Sequence, residues 1–241
     1  MTLTHPATML IPQVIADTGI QHTPLNFLWD ITVSRAMLYP LDDEHRSLQQ
    51  AFYAVNPRAA LALTMATGEW VAWRAQAAID PADLLARLQA GYAAAIDLRY
   101  ARVPEPDEPF PDTLQEWHGA VKLARMLVTQ ALGYAQRHSS TVSGSGVAMA
   151  LLARHVCPDV PAFEKWLSMA LRRAALQWPA KERNPDAWPP VWRHALFRDA
   201  SVPDDVARQA FLAELDPARN RYLRTAADMA ADGFVGAPYG G

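Results

Sequence analysis

The stretch that most constrains this chain begins at Asn56-Pro57 and runs to about Ala78. Asn56 is a capping side chain directly ahead of a proline at the first helical position, where the missing N–H costs nothing. The helix that follows is apolar on nearly all sides, with Leu61, Leu63, Met65, Trp70, Val71 and Trp73 distributed around the turn. A helix without a polar face is stable in water only when other elements surround it. The fold is therefore expected to form around this segment. The material is sufficient: 51% of the 241 residues are hydrophobic, and a monomer of this size buries roughly 70% of its unfolded surface.

The rest of the chain reads as further helices. Asp80-Pro81 opens a second long one, to about Ala101, with Leu84, Leu85, Leu88, Tyr92 and Ile96 near helical spacing and Asp83, Arg87 and Arg99 placed toward solvent. Leu25 to Tyr39 is ended by Pro40, and Asp42-Asp43-Glu44 puts acids in the first turn of a helix reaching Val55. Further helices are expected at about Asp112 to His138, Val147 to Val156, Pro161 to Gln177, Val191 to Phe197 and Asp204 to Leu215. One last turn, Ala226 to Ala231, is stopped by Gly233. Ser139 to Gly146 is read as a Ser/Gly loop, and no alternating apolar run asks to be a strand. The expected class is all-α: one domain over residues 1–241, a bundle of about eight or nine helices. Residues 1–23 form an irregular arm in this reading, 104–112 a connector and 216–241 an extended C-terminal segment.

Several chemistries are excluded by what the residues are. Net charge is −3 and the pI near 6.1, so no overall field holds the chain to nucleic acid or to an anionic membrane. The single cysteine, Cys157, precludes an intramolecular disulfide and a thiolate zinc cage. It reads as a small buried residue before a proline-initiated turn. A di-metal bundle needs Glu-x-x-His pairs on two helices; only Asp42 and His45 approach the spacing, in a polar first turn, and Arg46 follows where an aspartate-rich magnesium motif needs an acid. The Ser/Gly stretch lacks the Gly-Lys-Ser/Thr ending of a phosphate-binding loop. No catalytic residue, metal ligand or cofactor is assigned. The N-terminus has neither the basic start nor the apolar run of a signal peptide, and no span is long enough for a membrane, so the expected location is cytoplasmic.

Two features remain. Glu69 interrupts the apolar helix within Gly-Glu-Trp-Val-Ala-Trp-Arg. A buried carboxylate is paired or it protonates, and the expectation is a structural pairing with an arginine or tryptophan N–H from another helix; the alternative is an enzyme whose polar inter-helix site uses Glu69 with His118 or an arginine. The second feature is the connector. Four prolines between Pro104 and Pro111 forbid a helix, and Glu105, Asp107, Glu108 and Asp112 surround Phe110 with no base among them. An acidic rim around one aromatic anchor suits a basic protein surface, so these five are the candidate partner-binding residues. Trp178, Trp188 and Trp192 are expected to lock an irregular segment onto the bundle, and Phe234 and Tyr239 to dock.

Gly68 to Arg74 in a central helix, Asn220-Arg221-Tyr222-Leu223, and Gly233 to Tyr239 together resemble α-helical bacterial proteins of effector–immunity loci. That resemblance implies a cytoplasmic protein that neutralises a secreted effector toxin by binding and occluding it. The expected function is accordingly that of a non-enzymatic protein-binding protein, with another protein as partner and neither nucleic acid nor membrane.

Overall fold

The computed structural model describes residues 9–24, 27–38, 45–107, 116–157, 160–182, 184–197, 204–236 and 238–240. They form an all-α bundle with α1 (Gln13–Ala16), α2 (Ile31–Leu38), α3 (Arg46–Tyr53), α4 (Pro57–Ala75), α5 (Ala82–Ile96) and α6 (Glu116–Gln136). The chain continues through α7 (Val142–Val156), α8 (Pro161–Gln177), α9 (Arg193–Phe197), α10 (Asp204–Ala213) and α11 (Ala226–Ala231). Eight of these eleven are seven residues or longer, in keeping with a bundle of eight or nine helices; the short α9 and α11 fall where the sequence placed helical turns, and α1 is the addition. Among the described residues there is no strand, only isolated bridges pairing Val55 with Pro179 and Ala101 with Leu223.

The all-round apolar stretch is the centre. Asn56 Oδ1 accepts from the Ala59 N–H at 2.9 Å, and every residue from Ala59 to Ala75 is buried, against α5, α6 and α7 chiefly. Close approach depends on small residues. A Cβ at Gly91 would lie 2.1 Å from the Met65 sulfur, and one at Gly146 2.4 Å from the Phe52 ring. The second contact explains where the sequence reading fails: Ser143 to Gly146 are helical, because α7 starts at Val142. Two glycines disfavour a helix locally by roughly 2 kcal/mol, yet Gly146 admits the Phe52 ring and Ser143 Oγ donates to the Phe52 carbonyl at 3.0 Å. Packing outweighs propensity.

Other corrections are at ends. The second long helix stops at Ile96 and passes through one 3₁₀ turn, Leu98–Tyr100, capped by Asp97 accepting from the Arg99 N–H at 2.9 Å. The arm at 9–23 is docked, with Ile15 and Ile20 buried. The tryptophan-rich segment is fastened as expected: Asn56 N–H donates to the Trp178 carbonyl at 2.9 Å, Arg58 to the Trp188 carbonyl at 2.6 Å, and Val191 N–H to the Ala95 carbonyl at 3.0 Å. Phe234 and Tyr239 dock on the Tyr100 ring, at 5.5 and 5.3 Å between centroids. Among the described residues, no helix is long and apolar enough to cross a membrane.

Candidate functional site

Two polar centres are built into this apolar frame. The first is Glu69, in mid-α4 and wholly buried. One turn on, on the same face, Trp73 Nε1 donates to Oε2 at 3.3 Å, and from α5 the Tyr92 hydroxyl donates to Oε1 at 2.8 Å. Arg193 completes the set by forking across the carboxylate, Nε to Oε1 and Nη2 to Oε2, both at 2.6 Å. Burial and the neighbouring Glu69 charge push the Tyr92 phenol well above its ordinary range. Burial opposes the Arg193 cation, but the carboxylate outweighs it and raises the guanidinium further. Four donors on two oxygens use the acceptor capacity of a carboxylate, and the Arg193 Nη2 also reaches the Leu10 carbonyl at 2.5 Å. The expected pairing with an arginine from another helix is what the structure shows, while the indole comes from α4 itself. The centre joins α4, α5, α9 and the N-terminal arm. His118, the histidine considered as its partner, is exposed on α6 and is not among those donors.

The second centre lies where the connector meets α5 and α6. Asp83 and Arg87 are one turn apart on α5, with Nε donating to Oδ2 at 3.0 Å. Arg87 Nη2 reaches Asp107 Oδ1 in the connector at 2.7 Å. From α6, Arg125 straddles the same two acids, 2.8 Å from Asp83 Oδ2 as an ion contact and 3.1 Å from Asp107 Oδ1 as a hydrogen bond. Tyr222 Oη and Arg221 Nη2 both donate to Asp83 Oδ1, at 2.5 and 2.9 Å, and Thr129 Oγ1 accepts from Arg87 Nη1 at 2.8 Å. Two carboxylates are thus shared among three guanidiniums. Burial works against the Asp83 charge, but the Tyr222 hydroxyl and the arginines outweigh it and hold its pKa below the ordinary carboxylate value.

Placing Arg87 and Asp83 toward solvent on sequence grounds is therefore wrong: Arg87 is 3% exposed and Asp83 is about two-thirds covered. Asp107 is corrected as well, since it turns inward onto Arg87 and Arg125 rather than standing in an acidic rim, and its Oδ2 is buried with no donor. Glu105 is exposed. Glu108, Phe110 and Asp112 lie outside the described residues, as does Asp42. Of the residues that sequence reasoning missed, Arg87 had a visible signal in its (i, i+4) spacing from Asp83; Arg221 and Tyr222 stood in a stretch already singled out but with nothing tying it to α5, and Arg125 had no signal. Cys157 is buried, and burial pushes its thiol up to about 12, so it stays protonated and is no nucleophile at neutral pH. Among the described residues no three His, Cys, Asp or Glu side chains are grouped to hold a metal.

The described strip leading into the connector, residues 101–107, is pinned at both of its ends by these contacts. At one end Ala101 bridges to Leu223 and the Arg102 N–H donates to the Tyr222 carbonyl at 2.8 Å; at the other the two arginines hold Asp107. Between them Pro104 is buried while Val103, Glu105 and Pro106 are exposed. No protein-family model, curated protein or solved structure matches this chain, and what the site can do is read from its own geometry.

Proposed function

We propose that this protein acts by binding another protein, with residues 101–107, which lead into and begin the connector, as part of the contact surface. The observation that carries the reading is the double pinning: Tyr222 and Leu223 at one end and the Arg87–Arg125 pair at the other hold an extended, proline-stiffened strip with Glu105 outward. A strip already ordered before association loses little conformational freedom on binding. Glu105 gives it a negative charge that favours encounter with a basic surface. In the finer form suggested by the resemblance to effector–immunity proteins, the partner is a toxic effector and the action is occlusion of its working surface.

The test is affinity capture with the tagged full-length chain from cells that carry its gene, followed by surface plasmon resonance on the captured partner. Glu105→Lys is expected to weaken binding and flatten its salt dependence. Identical affinity and salt dependence for parent and variant would remove the strip from the interface.

A further inference from the structure

Apart from both polar centres, α3, α6 and α7 enclose a cleft of about 540 Å³. Its floor is apolar, with Leu127, Val147 and Ala148 buried beneath it. Around that floor stand hydrogen-bonding groups with no bond of their own among the described residues: the Gln49 and Gln130 amides, the Tyr53 and Tyr134 hydroxyls, and Ser145. Ser145 is the telling one, because it is 5% exposed. Its neighbour Ser143 donates to the Phe52 carbonyl, whereas Ser145 lines the cleft with no hydrogen bond of its own among the described residues. No Asp, Glu, Lys, Arg or His is among the described residues that line it. The nearby cation, Arg137, lies over the Tyr134 ring at 5.3 Å.

We propose that this cleft binds an uncharged, flat small molecule that carries hydrogen-bonding groups at its edge. The volume lies within the range of small-molecule sites, about 300–1,000 Å³. A charged ligand would leave water for a lining whose described residues offer it no counter-charge, which is costly. A purely apolar one would leave the amides and the Ser145 hydroxyl unsatisfied where water is displaced. Each glutamine amide offers both donor and acceptor, and the leucine, valine and tyrosine surfaces accept a flat body. This inference is independent of the connector reading.

Gly144 supplies the test. It sits in the first turn of α7 on the cleft wall, and a Cβ there meets only the Tyr53 hydroxyl, at 3.8 Å. Gly144→Leu therefore fills the cleft without a backbone clash, and helix propensity favours it. The probe is 6-propionyl-2-(dimethylamino)naphthalene, neutral and planar with a carbonyl acceptor, followed by its fluorescence blue shift. The anionic dye 1-anilinonaphthalene-8-sulfonate is the comparison. Expected is saturable one-to-one binding of the neutral dye, about tenfold weaker or worse in Gly144→Leu, with an unfolding midpoint at or above the parent's. Gln130→Ala, at an exposed position, should lower the affinity severalfold without changing stability. The proposal is overturned by absence of saturable binding of the neutral dye, by equal affinity in Gly144→Leu, or by an anionic dye that binds the parent as tightly and is displaced by the neutral one.

Discussion

The Glu69 centre and the Asp83–Asp107 centre use the same chemistry at different depths. Each sets a tyrosine hydroxyl and arginine guanidiniums on a carboxylate. At Glu69 one acid meets one arginine, and the carboxylate is wholly enclosed. At Asp83 and Asp107 two acids share three arginines, of which Arg87 is 3% exposed and Arg221 73% exposed. Depth decides what each does. In a sealed site, loss of one partner strands a charge away from water, so the pair enforces one arrangement of α4, α5 and α9 more than it adds net stability. At the rim, water and salt share the field, and the same contacts form a clasp on the connector that salt weakens.

The largest effect that would break this contrast is at Glu69. Glu69→Ala should cost about 3–5 kcal/mol, because it leaves Arg193, Tyr92 and the Trp73 indole without their acceptor in a buried site. Urea unfolding measures it, and the cost should barely change on adding salt. A loss under about 1 kcal/mol would place Glu69 in contact with water. Asp83→Asn should cost less, about 2 kcal/mol, since Asp107 still pairs with Arg87 and Arg125. That cost should shrink in about 1 M salt, where the screening length is roughly 3 Å; equal salt sensitivity at the two sites would erase the distinction.

Acid sharpens it further. The Asp83 pKa is depressed on folding, so its contribution is present above its unfolded value of about 3.9 and is lost as pH falls through the lower folded value. The stability gap between parent and Asp83→Asn should therefore be full at pH 6 and narrow toward pH 3, followed by the urea midpoint at each pH. A gap that stays constant across that range would show that Asp83 works through shape and hydrogen bonding rather than charge. The smallest effect is expected at the exposed Glu105: Glu105→Lys should move stability by no more than about 0.5 kcal/mol, by thermal unfolding, so that any loss of partner binding reads as interface rather than fold.

How far the sequence reaches differs between the two centres. Glu69 announces itself, since a carboxylate in an otherwise apolar helix must find partners, and one donor, Trp73, is a single turn away. Its main partner, Arg193, is 124 residues distant in a segment whose local pattern says nothing of α4. The clasp was less legible. Asp83 and Arg87 have the spacing of an ordinary surface pair, and only the arrival of the connector, α6 and Tyr222 buries Arg87. An outward-facing acid and an inward-facing one look alike in a proline-rich run, which is why Asp107 is misread.

By itself the sequence determined the helical class, the central position of the helix that starts at Pro57 and the proline-imposed break after Arg102, because these follow from periodicity, capping and missing N–H groups within a few residues. Tertiary structure alone decided that Ser143 to Gly146 would be helical, that Arg193 would be the counter-charge of Glu69, and that Asp107 would face inward. In each of these the deciding term is a contact between residues far apart in the chain, where close packing and the cost of an unpaired buried charge exceed local preference.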